Sequence, residues 1–207
     1  MGNVLALAAL LEGRRVWRGH AAPVPAGEQP TGWPALDAVL PGGGWPAAAL
    51  SEILLPADGV GELQLVLPTL ARHTQAGRAV VVIAPPYVPC VPGWEARGVV
   101  MSRVDVVSAE PRDALWAAEQ CLRSGSCATV LAWPAHADDR ALRRLQVAAD
   151  TGKALALVFR DRRHADQPSP AALRLELETQ PALQVRVRKC RGGNAPAQPV
   201  PLNPDGW

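Results

Sequence analysis

Four short apolar runs recur along the middle of the chain, with helical spacing in the stretches between them. The runs are ALSEILL (49–55), AVVVIA (79–84), ATVLAW (128–133) and ALALVF (154–159). A strand buried on both faces is apolar throughout, which is typical of parallel sheets covered by helices. Helices are predicted at 62–75, 111–123 and 138–150, and a shorter strand at 104–107. This order of elements predicts a parallel sheet flanked by helices.

A different pattern occupies the segment near the C-terminal end. Residues 173–178 (LRLELE) and 183–189 (LQVRVRK) alternate apolar and charged side chains. Alternation with a period of two is typical of antiparallel strands that have one face in water. The predicted fold class is therefore α/β, with a mostly parallel sheet flanked by helices and a C-terminal antiparallel hairpin.

Proline and glycine concentrate at the two ends of the chain. The N-terminal residues 1–34 contain a predicted amphipathic helix and then the Pro/Gly-rich stretch 19–34, which is typical of a linker. Residues 191–207 have a similar composition and are predicted to form a flexible tail. The expected organisation is an N-terminal helix and linker (1–34), a core (35–190) and a tail (191–207).

Charge and cysteine content narrow the possible functions. The formal net charge of +2 gives no global basic field that would demand a nucleic-acid or membrane partner. No apolar run approaches the length of a membrane span. The four cysteines lack C-x-x-C spacing and have no histidine at metal-ligand spacing. Reduced thiols in a cytoplasmic protein without a metal or other cofactor are therefore expected.

The turn after the first predicted strand occupies the position of a phosphate-binding loop. Such a loop reads G-x-x-x-x-G-K-[S/T] between a strand and a helix. With its second glycine aligned on Gly61, Pro56 replaces the first glycine, Glu62 the lysine and Leu63 the hydroxyl residue. The lysine and the hydroxyl contact the phosphates and magnesium, so their loss predicts a protein that is not an ATPase. Neither 79–84 nor 128–133 is followed by the carboxylate that such chemistry uses.

Several segments of the sequence, taken in order, resemble segments of proteins in one superfamily. Residues 36–55 (LDAVLPGGGWPAAALSEILL) resemble the entry to the RecA recombinase core, and the similarity continues to the two closing strands. Within that superfamily, the chain resembles the ImuA family of translesion-synthesis-associated proteins. The phrases that carry this resemblance include LPGGGWP (40–46), DALWAAEQCLRSG (113–125) and ADDRALRRLQ (137–146). The resemblance covers residues 35–190, for which it implies a RecA-like core.

The same resemblance implies a role and partners. ImuA-like proteins belong to a bacterial mutagenesis cassette induced by DNA damage in the SOS response. They act with ImuB, a Y-family polymerase relative without polymerase activity, and with an error-prone DnaE-type polymerase. A non-catalytic accessory protein for translesion synthesis is therefore expected, with DNA and RecA as further partners. The alternatives are a SulA-like cell-division inhibitor that binds FtsZ, a DNA-binding recombinase regulator, and a DNA-dependent ATPase of the recombinase class.

A group of arginines follows the run 154–159. In RecA-like proteins this segment lines the DNA-binding channel, so Arg160, Arg162 and Arg163 are predicted to contact DNA phosphates. The alternative is a solvated charged loop, because Asp161 and Asp166 dilute the positive charge.

A second set of residues is predicted to contact the protein partner: Trp17, Arg140, Arg143 and Arg144. For the three arginines the alternative is a solvated helix face. Two further tryptophans, Trp116 and Trp133, lie inside predicted elements and are expected in the core.

Overall fold

The computed structural model describes residues 29–203, which form an eight-stranded sheet with helices on both faces. Its strands are β1 (Leu50–Leu55), β2 (Ala79–Ile83), β3 (Val104–Val107), β4 (Cys127–Ala132), β5 (Leu155–Asp161), β6 (Leu173–Glu178), β7 (Gln184–Cys190) and β8 (Val200–Pro201). Its helices are α1 (Pro34–Asp37), α2 (Glu62–Gln75), α3 (Val91–Glu95), α4 (Ala114–Arg123) and α5 (Asp139–Gly152). Short 3-10 turns occupy Met101–Arg103 and Arg162–His164. Within residues 29–203, no helix is long and apolar enough to cross a membrane.

The strands follow the order β3-β2-β4-β5-β1-β6-β7-β8 across the sheet. Neighbours from β3 to β6 are parallel, whereas β7 is antiparallel to both β6 and β8. The predicted fold class, a mostly parallel sheet that ends in an antiparallel hairpin, is confirmed. The four mostly apolar runs form central strands of the sheet, because both of their faces are covered by helices.

The buried side chains form two clusters, separated by the sheet. One cluster joins α1 and α2 to β1, β6 and β7, and includes Trp45 and Phe159. The other joins α4 and α5 to β2, β4 and β5, and consists mostly of alanine, valine and leucine. Small side chains in the second cluster let α4 and α5 approach closely. A Cβ added to Gly152 would lie 1.8 Å from the carbonyl oxygen of Leu122, so only glycine fits there.

Helix α5 shows how local sequence sets an element. The side chain of Asp138 accepts a hydrogen bond from the backbone N–H of Ala141 at 2.7 Å, which caps the first turn. Leu142, Leu145, Ala148 and Ala149 are buried on one face, as their spacing predicts. Helix α4 begins at Ala114, so its predicted start at residue 111 is wrong.

The expected linker contains core residues. Trp33 is buried, and its indole N–H donates to the carbonyl of Leu65 at 2.9 Å. Thr31 is also buried and donates through Oγ1 to Asp37 at 2.7 Å. The linker prediction is therefore wrong for residues 29–34, because one tryptophan there is anchored to α2 despite the surrounding prolines and glycine. The predicted N-terminal helix and residues 19–28 lie outside the described residues.

The sheet also extends beyond the expected core boundary at residue 190. Val200 and Pro201 pair with Val185 and Gln184 of β7, and the side chains of Val200 and Leu202 are buried. The backbone N–H of Leu202 donates to the carbonyl of Leu183 at 3.0 Å. The flexible-tail prediction is therefore wrong for residues 200–202, because these two apolar side chains enter the core. Residues 204–207 lie outside the described part of the chain.

Candidate functional site

A groove of about 860 Å³ lies beyond the carboxyl ends of the parallel strands. Ligands of open α/β sheets bind at this edge. The groove is formed by the segments that follow β2, β3 and β4 and by the end of β5. Proline and aromatic side chains dominate its walls, among them Pro85, Pro86, Tyr87, Pro89, Trp133 and Phe159.

The loop after β1 turns through Gly59 (φ 78°) and Gly61 (φ 109°), both in the left-handed region that favours glycine. The side chain of Glu62 is buried at the start of α2, and its Oε1 accepts a hydrogen bond from the backbone N–H of Gly59 at 2.8 Å. A working phosphate loop directs such N–H groups at the anion. Here a carboxylate of the protein takes one of these donors and brings negative charge to the same place.

The side chains of Leu63, Tyr87 and Leu183 pack around this loop. Leu63 packs against the apolar cluster around α2, where a hydroxyl would be needed to hold magnesium. The ring of Tyr87 lies 3.3 Å from the position that a Cβ on Gly59 would take, and Leu183 lies 3.1 Å from the corresponding position on Gly61. The loop is therefore packed between Tyr87 and Leu183.

The position directly after β4 holds an aromatic residue instead of a carboxylate. The indole of Trp133 stacks on the ring of Phe159 from β5, with ring centroids 4.1 Å apart and planes 10° apart. Trp133 is only partly buried and lines the groove, so its predicted place in the core is only partly correct. Between residues 29 and 203, no group of three His, Cys, Asp or Glu side chains has the arrangement of a metal site.

Three charged side chains form a buried cluster beside the groove. Glu52 of β1 is fully buried between Arg160 of β5 and Arg174 of β6. Arg160 Nη1 donates to Glu52 Oε1 at 2.5 Å, and Arg174 Nε lies 2.8 Å from Glu52 Oε2. Arg160 Nη2 also donates to the carbonyl of Ala137 at 2.7 Å. This cluster therefore binds the loop before α5 to the centre of the sheet.

The place of Arg160 in this cluster contradicts its predicted contact with DNA. Arg160 cannot reach DNA phosphates, because its guanidinium is buried and paired with Glu52. Arg162 and Arg163 lie in the 3-10 turn after β5 and are exposed. Arg163 Nε lies 3.8 Å from Asp161, so part of its charge is compensated. Of the three arginines predicted to contact DNA, only Arg162 and Arg163 are exposed, and DNA contact by these two stays a prediction.

The predicted partner-binding arginines lie together on the outer face of α5. Arg140, Arg143 and Arg144 are all exposed. Arg143 donates to Asp139 one turn earlier at 2.7 Å, and Arg144 donates to the carboxylate of Glu119 on α4. These contacts hold Arg143 against its own helix and join Arg144 to α4. Trp17 lies outside the described residues.

Several exposed apolar side chains were missed by sequence reasoning. Tyr87 and Val88 project from the segment after β2, beside the groove. The indole of Trp116 on α4 is 60% exposed, so the prediction that it belongs to the core is wrong. In the sequence, the groove could have been recognised from the run PPYVP (85–89), which directly follows a buried strand. Prolines there end the strand and expose the aromatic residue that follows.

The similarity of this chain to known proteins lies among solved structures. No protein-family model matches the sequence, and the comparison with curated proteins gives no match. Among solved structures, SulA from Pseudomonas aeruginosa matches with 30% sequence identity and a TM-score of 0.47, over 56% of this chain and 98% of the SulA chain. The resemblance to the ImuA family stays a prediction.

Proposed function

We propose that this protein is a non-catalytic, RecA-like accessory protein in damage-induced translesion DNA synthesis, and that it acts by binding an ImuB-like, polymerase-related partner. The observation that carries the non-catalytic part is the contact between Glu62 Oε1 and the N–H of Gly59. The ordered ImuA-like phrases within residues 35–190 support the partner. The DnaE-type polymerase and RecA take part through this complex.

The loop after β1 is unsuited to a nucleoside triphosphate for physical reasons. Glu62 would repel the phosphates that a lysine attracts, and Leu63 offers magnesium no oxygen. The side chain of Tyr87 covers the loop at Gly59. Each change alone would weaken a nucleotide site. Together they leave a groove whose chemistry suits apolar contact better than phosphate transfer.

The groove has the features of a protein-binding surface. Tyr87 is 66% exposed and Val88 93% exposed, and both stand at its rim. Exposed aromatic and aliphatic side chains beside a proline-lined groove are common anchors for partner segments. The outer face of α5, with Arg140, Arg143 and Arg144, is the second surface through which the partner binds.

Co-purification of the full chain with an ImuB-like protein tests this proposal. We expect the wild-type protein to retain the partner and the double variant Tyr87→Ser, Val88→Ser to lose most of it. Val100→Ser is the matched control, because Val100 is also exposed and apolar but precedes β3, at the edge of the sheet opposite the groove. Absence of binding by the wild-type protein would refute the proposed function.

The proposal that this protein is not an ATPase has a separate test. We expect no saturable binding of radiolabelled ATP in the presence of magnesium, measured by filter retention. A known ATP-binding RecA protein serves as the positive control. Tight, magnesium-dependent binding would show that the loop at Gly59 still holds nucleotide and would overturn this part of the proposal.

A second candidate function is a SulA-like inhibitor of cell division that binds FtsZ. The 30% identity to SulA over 98% of that chain favours it. This candidate predicts filamentous cells on overexpression and slower FtsZ polymerisation in the presence of the purified protein. The proposed accessory protein gives neither effect, so the two candidates are separated by one light-scattering experiment.

A further inference from the structure

A second, smaller cavity of about 230 Å³ adjoins the groove, between the loop after β1 and the segment after β2. Its walls include Val82, Pro86, Tyr87, Trp94 and Trp133. The two cavities share Tyr87 and Trp133 as lining residues, so a chain lying in the groove has direct access to the smaller cavity.

Two polar atoms at this cavity have no hydrogen-bond partner in the part of the chain that the structure describes. They are Oε2 of Glu62 and Nε1 of Trp133, and both atoms are buried. The whole Glu62 side chain is nine-tenths buried or more, with the residue only 3% exposed. Buried polar atoms without partners are rare in native proteins, and one accepted explanation of such an atom is a bound water or ion.

The chemistry of these atoms defines that group. A carboxylate oxygen among aromatic side chains is the usual surrounding of a bound cation. The indole N–H can only donate, so it requires an acceptor such as a carbonyl oxygen. A cation and a carbonyl a few bonds apart occur together in a lysine or arginine residue of a polypeptide.

The charge of the adjoining groove agrees with a basic occupant. Asp58 and Asp161 line it and are exposed. The arginine in its lining, Arg160, is buried and is paired with Glu52, which it shares with Arg174. The two exposed charged side chains that line the adjoining groove are therefore both carboxylates, of which Asp161 lies 3.8 Å from Arg163.

We propose that this cavity receives a lysine or arginine side chain of the protein partner. The cationic group binds Oε2 of Glu62, and a backbone carbonyl of the same segment accepts the hydrogen bond of Trp133 Nε1. This inference rests on the proposed function in one respect, namely that the occupant of the groove is a protein. It assigns Glu62 a role as the specificity residue of a binding site, in place of the lysine of a phosphate loop.

An NMR titration of the ¹⁵N-labelled full chain tests the site without the partner. The probe is Nα-acetyl-L-arginine N-methylamide, and its neutral citrulline analogue is the control. Trp133→Phe removes the donor, keeps a ring to stack on Phe159, and identifies the Trp133 indole signal by its disappearance. We expect a saturable shift of that signal with the arginine probe and none with the citrulline probe.

Two variants test whether the shift of the Trp133 indole signal depends on the charge of Glu62. Glu62→Gln keeps an oxygen for the N–H of Gly59 and removes only the charge, so we expect at least a tenfold loss of probe affinity. Asp150→Asn removes one exposed carboxylate at the end of α5 and should leave the titration unchanged. A well-dispersed spectrum of each variant confirms that it is folded.

Three outcomes would overturn the inference. The first is that the Trp133 signal does not shift at probe concentrations up to about 50 mM, which corresponds to a negligible affinity. The second is an equal response to the citrulline probe. The third is unchanged binding of the arginine probe by Glu62→Gln. N-Butylguanidine, which has the guanidinium but no carbonyl and the same charge as the arginine probe, must bind more weakly than that probe. Equal binding would be a fourth contrary outcome, since it would indicate a site for small cations and not for a polypeptide. None of these results depends on co-purification with the ImuB-like protein, so failure of the inference and failure of the proposed function are distinguishable.

Discussion

The guanidinium of Arg160 is bound to the carboxylate of Glu52 across two adjacent parallel strands, with Nη1 2.5 Å from Oε1 and both side chains almost inaccessible to solvent. The second carboxylate oxygen pairs with Arg174 from the strand on the other side. Arg174 also donates to the backbone carbonyls of His164, Ala165 and Gln167. One carboxylate thus joins three strands and the loop after β5, at the edge where the groove lies.

Glu52→Gln is expected to destabilise the protein by about 3–5 kcal/mol, because two buried guanidinium groups lose their carboxylate. Arg160→Met should cost less, since Glu52 then keeps Arg174 as its partner. Urea denaturation followed by circular dichroism measures both effects. Arg186→Met is the control, because Arg186 forms a partly exposed pair with Glu178 and should cost under about 1 kcal/mol. An effect of Glu52→Gln as small as that of the control would contradict the stabilising role of the cluster.

Leu202→Ala is expected to lower the free energy of unfolding by about 2–5 kcal/mol, because Leu202 is buried in the cluster around α2. Thermal and urea denaturation of the full chain provide the measurement. Gln198→Ala, an exposed position in the same segment, should change stability by no more than about 0.5 kcal/mol. A Leu202→Ala variant as stable as Gln198→Ala would restore the original expectation of a loose tail.

The fold was predictable where its signals are local. Continuous apolar runs such as 79–84 indicate strands buried on both faces, and strict alternation in 173–178 indicates one wet face. The ends of the core were not predictable from composition. Trp33 and Leu202 are single apolar residues among prolines and polar residues, and their binding sites lie on distant elements.

The candidate site was predictable only in part. The changed residues of the loop after β1 were visible because a phosphate loop is a local motif. The role of Arg160 was hidden because its partner, Glu52, is 108 residues away in the sequence. The small cavity depends on the Trp133–Phe159 stack and on the position of Tyr87, which are set by packing between separate strands and loops. Such contacts leave no periodic pattern in the chain.

His73 is expected to make stability depend on pH. Its Nδ1 lies 2.7 Å from Thr129 Oγ1 in the core. Burial, and then the nearby charges of Arg72 and Arg78, lower the pKa of His73 from 6.5 to about 4. The unfolded chain therefore binds the proton more readily between these values. The contribution is fully present above pH 6.5 and is lost as the pH falls towards 4.

The measurement for His73 compares urea denaturation at pH 7 and pH 4.5 for the wild-type protein and His73→Asn. Asn keeps a hydrogen-bonding group near Nδ1 but does not titrate. We expect the wild-type protein to lose about 2–3 kcal/mol more than the variant over this interval, since one unit of pKa corresponds to about 1.4 kcal/mol. Equal losses in the two proteins would show that His73 does not carry the effect.

Arg162 and Arg163 are the remaining candidates for DNA contact, because both are exposed directly after β5. We expect the double variant Arg162→Ala, Arg163→Ala to bind single-stranded oligothymidine more weakly than the wild-type protein. The dependence of log K on log salt should become shallower by about 1.4, since each lost phosphate contact releases about 0.7 fewer counterions. Fluorescence anisotropy at several sodium chloride concentrations gives this slope.

Arg78→Ala is the matched control for the DNA experiment. Arg78 is exposed but precedes β2, so it lies at the amino edge of the parallel sheet, opposite the loop after β5. Its removal lowers the overall charge by one without touching the predicted contact. A slope that changes as much per arginine in Arg78→Ala as in the double variant would indicate nonspecific attraction. An unchanged slope in the double variant would assign Arg162 and Arg163 to a solvated loop.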